Sequence, residues 1–516
     1  MRVRQARLPS RAGLMRVLFA ATGGVLWGLC FSHEPLSLAS WWALAPLVAM
    51  LSWPRAGRLG WIHGLASWMT GLYWIVPTLR TYGHIAVPLG IFLTGLLAGY
   101  LALFHAVFAW LGSKMWRRGG MIRLLTLPAL WVALEWLRTY LGGGFPWNLA
   151  GYAWVDVPGA LPLSAWVGAS GISFLVVLTS VALAASISER RWEPAAVGLL
   201  IPLLLLPLAA RWSLREVARE IREAGGFGKP VRLLQPNIPN LVAYDPVMVA
   251  RNYRKVLDQS ADACQPGSLV VWPESAAWPF ELGRDPWFDQ DLHAIVERGC
   301  TVIFNSGTPV GNSFYNSAFL LSPSQSSQPI PRYDKHHLVP FGEYVPFRGV
   351  FGWMDKLARD AGEFRPADQT VLLPWNGEKI GMSICYEVVF PSEVAALVRQ
   401  GATVLVTITN DAWYGDTSAP WQHFRAARFR AAENRRPLLR AAITGVTAFV
   451  APDGSVLAEI GVFREGILRA RVLGERRLTL FSRAPWLVPL LSTLVALVAL
   501  AWGVGYAATR EKRSFQ

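Results

Sequence analysis

Eight apolar runs, each about as long as a bilayer crossing requires, constrain this chain more than any other feature. They lie near 14–32, 36–53, 59–79, 86–111, 121–141, 161–187, 193–211 and 486–506. Hydrophobic residues make up 53% of the 516-residue sequence and charged ones 16%, against roughly 25% charged in ordinary globular proteins. The expectation is a polytopic α-helical membrane domain of about eight spans. Arg2, Arg4, Arg7, Arg11 and Arg16 precede the first run much as they would in a signal peptide. No A-x-A cleavage site closes it and further apolar runs follow at once, so it is read as a first anchor.

Basic residues resist translocation, so their distribution orients the spans. One set of gaps holds the N-terminal arginines, Arg55, Arg58, Lys114, Arg117, Arg118, Arg123, Arg190, Arg191 and the tail Arg510, Lys512 and Arg513; the alternate set holds little beyond Arg80 and Arg138. Both termini are therefore expected in the cytoplasm, with the long segment after the seventh span outside. A net charge of +15 gathered in inter-span gaps, without a basic stripe interleaved with aromatics, argues against nucleic acid as a partner. The outward gaps contain Tyr82-Gly-His84 and Gly142-Gly-Gly-Phe-Pro-Trp-Asn148. These read as an interfacial aromatic belt or as substrate contacts on the face of the large domain.

From 229 to about 475 the character changes. Short β-branched runs recur at 231–237, 269–274, 301–308, 314–321, 380–385, 402–410 and 438–451, with helical patterns at Pro246 to Ala263 and Trp421 to Asn434. This alternation predicts an α/β domain with helices covering sheets, and Asp453-Gly454 predicts a hairpin turn. The expected division is 1–228, a membrane domain of seven helices; 229–475, an extracytoplasmic α/β domain; and 476–516, a last transmembrane helix and tail.

The candidate chemistry sits at strand ends, where α/β folds offer side chains to ligands. Ile380 to Ile384 delivers Cys385, with Glu387 two residues on; Leu269 to Pro273 delivers Glu274; Arg332-Tyr-Asp is followed by Lys335, just ahead of Pro340-Phe-Gly-Glu343. A thiol, a base and a cation are what acyl transfer through a thioester requires. Four cysteines, Cys30, Cys264, Cys300 and Cys385, are too few and scattered for a disulfide framework, and whether Cys264 and Cys300 pair is left open. No paired CxxC suggests zinc. Adjacent His336 and His337 are expected to point apart as polar lining, so no metal and no cofactor is expected. The apolar stretch from Val345 to Arg365, with Phe351 and Trp353, predicts either a lid dipping into lipid or a loop packed on its own domain.

Glu274, Lys335, Phe341-Gly-Glu343 and Cys385-Tyr-Glu387 stand in the order and spacing of the carbon-nitrogen hydrolase (nitrilase) superfamily, which the chain resembles. With its flanking spans it looks like the apolipoprotein N-acyltransferase family. Thr409-Asn-Asp-Ala-Trp-Tyr-Gly415, Pro420-Trp-Gln-His-Phe424 and Arg436-Pro-Leu-Leu-Arg440 carry the same resemblance. Tyr244 departs from it where the family commonly has Trp, as does Ala441-Ala-Ile-Thr-Gly445 after Arg440.

The resemblance implies a nitrilase-like αββα sandwich and a two-step reaction in a bacterial inner membrane. Cys385 would take an acyl chain from a phospholipid, most simply phosphatidylethanolamine. The thioester would pass it to the α-amine of the diacylglyceryl cysteine that begins an apolipoprotein. Glu274 would be the base. Lys335 and the Tyr386 backbone N–H would stabilise the oxyanion, Glu343 would hold Lys335, and Glu387 would orient the cluster. Tyr244, Phe351, Trp353 and Trp413 would face substrate. The alternatives are a membrane-tethered amidase acting on a small amide and a non-catalytic scaffold.

Overall fold

The computed structural model describes residues 10–32, 36, 38–223, 228–239, 245–323, 329–340, 342–344 and 364–514. The first half is helical: α1 (Arg11–Leu29), α2 (Ala45–Ala49), α3 (Ala56–Gly71), α4 (Ile75–Gly83), α5 (Val87–Trp116), α6 (Arg123–Tyr140), α7 (Ala160–Glu189) and α8 (Glu193–Glu223). Among the described residues four helices are long and apolar enough to cross a membrane: Arg11–Leu29, Val87–Trp116, Ala160–Glu189 and Glu193–Arg219.

Two of the expected spans take other forms. The run 36–53 is not one helix but α2 between two 3₁₀ turns, Ala39–Trp41 and Met50–Ser52. Leu44, Leu47, Val48, Met50 and Leu51 are at most 1% exposed, so this part of the run is enclosed by protein, while Leu36, Leu38 and Trp42 stay exposed. Irregular backbone is tolerated in such a setting because lipid does not reach it. The run 59–79 breaks at Leu72 to Trp74 between α3 and α4.

The second domain begins with β1 (Lys229–Gln235), α9 (Pro246–Ala263), β2 (Leu269–Val271), α10 (Pro286–Val296), β3 (Thr301–Val310), β4 (Ser313–Leu321) and β5 (Arg332–Asp334). It continues with β6 (Leu373–Trp375), β7 (Glu378–Ile384), α11 (Pro391–Arg399), β8 (Val404–Thr409), α12 (Ala419–Asn434), β9 (Leu438–Ala442), β10 (Thr447–Val450), β11 (Val456–Ile460) and β12 (Gly466–Val472). The chain closes with α13 (Leu480–Arg483) and α14 (Leu487–Ser514).

Two six-stranded sheets face each other, in the orders β12-β1-β2-β3-β4-β5 and β11-β10-β9-β8-β7-β6. In each, three central strands run parallel and the flanks are antiparallel. Val231, Leu233, Val271 and Ile303 meet Met382, Ile384, Val406 and Leu439 between the sheets. Both faces of each sheet are covered, so the strands read as continuous apolar runs rather than alternations; every residue of β8 is buried. Helices α9 and α10 cover the first sheet through Val256, Phe288 and Leu292. Leu397 of α11 and Phe424 and Phe429 of α12 share one continuous core with Ile172 and Val176 of α7. The α/β domain thus rests its second helical layer on the apolar helices of the first half.

The outward aromatic gaps take part in this docking. Trp147 is 3% exposed and donates its indole N–H to Gln422 Oε1 at 2.7 Å. Tyr82 Oη donates to the Ala412 carbonyl at 2.6 Å. For these two rings the belt reading gives way to contact with the α/β domain, because polar partners there satisfy their N–H and O–H groups.

Candidate active site

Two facing sheets bring the ends of β2, β5 and β7 together. After β2 the chain passes through Trp272 and Pro273 to Glu274; β5 is followed at once by Lys335; β7 ends at Cys385. All three side chains are buried, Glu274 at 6%, Lys335 at 1% and Cys385 at 7% exposure. Cys385 has φ +53°, a left-handed backbone that residues with a β-carbon adopt only where their surroundings impose it.

Lys335 Nζ lies 2.8 Å from Glu343 Oε1 and 3.7 Å from Glu274 Oε1. Asn316 of β4 joins the two carboxylates, its amide donating to Glu274 Oε1 at 2.9 Å and to Glu343 Oε1 at 3.1 Å. Glu274 Oε2 accepts the Asn410 N–H at 2.9 Å, and Glu343 Oε2 accepts the Val339 N–H at 2.8 Å.

The electrostatics follow from this packing. Burial alone would lower the Lys335 pKa, but Glu343 and Glu274 outweigh it, so the ammonium is held charged. Burial raises the Glu274 pKa and Glu343 adds to this, while Lys335 and the hydrogen bonds from Asn316 and Asn410 restrain it. The Cys385 thiol is pushed up by burial and by Glu274, with Lys335 opposing. The resting pair is therefore a thiol beside a carboxylate whose basicity has been increased, the arrangement suited to general-base removal of the proton during attack.

Glu387, expected to orient the cluster, touches the segments on either side of it. Its carboxylate accepts N–H groups of Ile384 at 2.7 Å, His336 at 2.7 Å and His337 at 3.1 Å, and the Tyr333 hydroxyl at 2.9 Å. It ties the turn at Cys385 to the segment following Lys335. His336 and His337 do not diverge, because β5 has ended and strand alternation no longer applies. His336 Nε2 lies 3.0 Å and His337 Nδ1 2.9 Å from the carboxylate of Glu393 on α11. Burial works against a charged His336, but Glu387 and Glu393 raise its pKa to about 10.

Behind Cys385 lies a second buried cluster that sequence reasoning assigned no role. The Arg440 guanidinium is 2.7 Å from Asp411 Oδ2, His423 Nδ1 is 3.1 Å from Asp411 Oδ1, and His423 Nε2 is 3.1 Å from the Cys385 carbonyl oxygen. The Thr409 hydroxyl sits between the thiol and Asp411 Oδ1, 2.8 Å from the latter. Although burial opposes it, Arg440 and His423 hold the Asp411 pKa down at about 2. The signal was present in the family-like runs at 409–415 and 420–424, but nothing in their spacing says which side chain turns inward. Asn316, in the middle of β4, gave no signal at all.

Trp413 is 40% exposed, its ring edge-on to Tyr82 at 4.7 Å and its carbonyl accepting from Thr78 at 3.0 Å. With Pro77, Thr81, Pro239 and Phe463 it lines a cleft of about 330 Å³. Tyr244, Phe351 and Trp353 lie outside the described residues. Cys264 and Cys300, left open above, form a disulfide with Cα atoms 5.4 Å apart. Among the described residues no three His, Cys, Asp or Glu side chains are grouped to hold a metal.

Comparison with known proteins converges on the same two parts. Residues 23–182 match the family model of the apolipoprotein N-acyltransferase N-terminal domain, and residues 231–476 match that of carbon-nitrogen hydrolase. An apolipoprotein N-acyltransferase of Geobacter metallireducens is 37% identical over 495 residues, 92% of each chain. One of Ralstonia nicotianae is 36% identical over 523 residues, 95% of this chain and 94% of its own. An amidase from Nesterenkonia sp. is similar in structure over 48% of this chain and 91% of its own, at 21% identity and a TM-score of 0.35. At such identity over nearly the whole length of both relatives, the chain belongs to the apolipoprotein N-acyltransferase family.

Proposed function

We propose that the chain moves an acyl chain from a phospholipid to the N-terminal diacylglyceryl cysteine of apolipoproteins through a thioester on Cys385. The observation that carries this is the buried Glu274–Lys335–Glu343 cluster acting on the Cys385 thiol, in a domain whose second helical layer packs into apolar helices. In the first step the sulfur bonds to the ester carbonyl carbon while Glu274 takes the thiol proton. The C–O bond breaks and the lysophospholipid leaves with that proton. In the second the substrate α-amine attacks the thioester, Glu274 accepts its proton, and the thiol is regenerated as the C–S bond breaks. Lys335, fixed by Glu343, stabilises each oxyanion with the Tyr386 N–H; losing such a donor typically costs about 10²–10³ in rate. Keeping the site dry protects the thioester from hydrolysis.

The donor is proposed to be phosphatidylethanolamine. The proposed setting is a bacterial inner membrane crossed by about eight spans, with 1–228 and 476–516 in the membrane and 229–475 outside. The basic gaps support this orientation, and so does the Cys264–Cys300 disulfide, since disulfides persist in oxidising compartments. Mass spectrometry of the purified protein tests the chemistry: Cys385 should carry an acyl adduct that hydroxylamine removes and that is missing from Cys385→Ala. Ammonia release from a small amide without lipid would select the amidase instead. A reporter fused near residue 300 that behaves as cytoplasmic would overturn the topology.

A further inference from the structure

Two adjacent residues of α12 connect the membrane helices to the backbone of Cys385. His423 is fully buried, with Nε2 3.1 Å from the Cys385 carbonyl oxygen and Nδ1 3.2 Å from the Arg440 guanidinium. A carbonyl oxygen only accepts, so Nε2–H donates to the Cys385 carbonyl; Nδ1 also lies 3.1 Å from Asp411 Oδ1. Burial and Arg440 lower the ring's pKa, and Asp411 opposes them. Trp147 stacks on the ring at 5.8 Å with planes 23° apart.

Gln422, 3% exposed, uses every hydrogen-bonding position of its amide. Nε2 donates to the carbonyls of Phe31 at 3.0 Å and Gly71 at 2.9 Å; Oε1 accepts the indole N–H groups of Trp74 at 3.1 Å and Trp147 at 2.7 Å. These four groups come from beyond the end of α1, the end of α3, the start of α4 and the segment after α6. The break in the expected third span places Gly71 and Trp74 on this one amide.

The turn at Cys385 is in a left-handed conformation that needs external support. Glu387 holds its entry at the Ile384 N–H, and His423 holds its exit at the Cys385 carbonyl. We propose that His423 is a positioning residue for the nucleophile, and that Gln422 makes this hold depend on the assembled membrane helices. Thiol reactivity would then be established only where α1, α3, α4 and the 145–148 segment are in register. The inference rests on the acyl-transfer reading and deepens it.

The test uses the full chain in detergent with phosphatidylethanolamine, comparing wild type with His423→Ala, His423→Gln and Gln422→Met. Three quantities are read: the rate of acyl-adduct formation on Cys385, the pH profile of Cys385 alkylation by iodoacetamide, and the thermal midpoint. His423→Ala should slow acylation about 10- to 100-fold, as small misplacements of reacting groups do, and shift the alkylation profile. His423→Gln, which keeps an N–H donor, should recover part of the rate. Gln422→Met should slow acylation less, with an alkylation shift in the same direction. If His423→Ala does not fold, the other two variants decide.

Wild-type acylation and an unchanged alkylation profile in His423→Ala and Gln422→Met would overturn the proposal. So would losses that track the thermal midpoint and are not restored in His423→Gln. Absence of any acyl adduct on wild type would count against the acyl-transfer reading alone, because the alkylation profiles still report on the positioning of the thiol.

Discussion

Helices α9 and α12 each cover the outer face of one of the two sheets, yet they are opposite in character. Of eighteen residues in α9, five are buried, Tyr253, Val256, Gln259, Ser260 and Ala263, all on the sheet-facing side. Of sixteen in α12, fourteen are buried, among them Gln422, His423, Arg425, Arg430, Glu433 and Asn434. An outer helix facing water needs one apolar stripe. One covered on both sides must satisfy its polar groups within the protein, and α12 does so by bonding outward as well as inward. Glu433 Oε1 accepts the Ala169 N–H at 2.7 Å, where α7 is broken by Gly168 at φ +65°. A β-carbon on Gly168 would come within 2.7 Å of the Phe481 ring. Arg430, paired with Glu433 at 2.7 Å, reaches the Val389 carbonyl at 3.2 Å. The same fold layer is a solvated cover on one side and a polar joint on the other.

Breaking the joint should produce the largest effect. Arg430→Met leaves Glu433 buried without its counter-charge, and truncating one partner of a buried pair costs about 3–5 kcal/mol. The thermal midpoint in detergent should fall sharply and be largely restored in Arg430→Met/Glu433→Gln. On the solvated side the strongest constraint is the Cys264–Cys300 disulfide, which ties the end of α9 to the strand after α10. Replacing both with Ser should cost about 2–4 kcal/mol while leaving Cys385 acylation at moderate temperature unchanged. Equal damage to acylation would erase the distinction between the layers.

A further effect concerns pH. His336, clasped by Glu387 and by Glu393 of α11, has its pKa raised from 6.5 to about 10. Its contribution is therefore fully present below about 6.5 and is lost as pH rises toward 10. Wild type should lose its advantage over His336→Gln across that window, at no more than about 1.4 kcal/mol per pH unit for one proton; a constant difference would show that His336 does not titrate there. Smallest of all, Arg254→Ala on the exposed face of α9 should change stability by no more than about 0.5 kcal/mol.

The contrast also explains what was legible in the sequence. The helix Pro246–Ala263 was read to both ends because its burial follows one face, and Asp453-Gly454 fell between antiparallel β10 and β11, with Gly454 at φ +84°. The strand ending at Cys385 was visible because Ile380 to Ile384 is apolar and bounded by charge. The start of α12 was misplaced by two residues, and 438–451, read as one run, is β9 and β10 joined by a turn. Local pattern could not show that Gln422 would bond to Gly71 and Trp74 at the break in the third span, nor that the middle of the run at 36–53 would be buried in the bundle. Those outcomes depend on partners elsewhere in the chain. The charged residues of the site were identifiable by type and order, while Asn316, Asp411, His423 and Arg440 became meaningful only once the two sheets were face to face.

Where the α/β domain enters and where it leaves are hydrogen-bonded neighbours: Lys229, at the start of β1, pairs with Val472, at the end of β12. Some 240 residues of enzyme are thus inserted at a single point between α8 and the last helix, like a cassette whose two connectors share one socket. Both connectors therefore meet at one edge of the first sheet, and no strand is rerouted to join the domain to the helices that flank it.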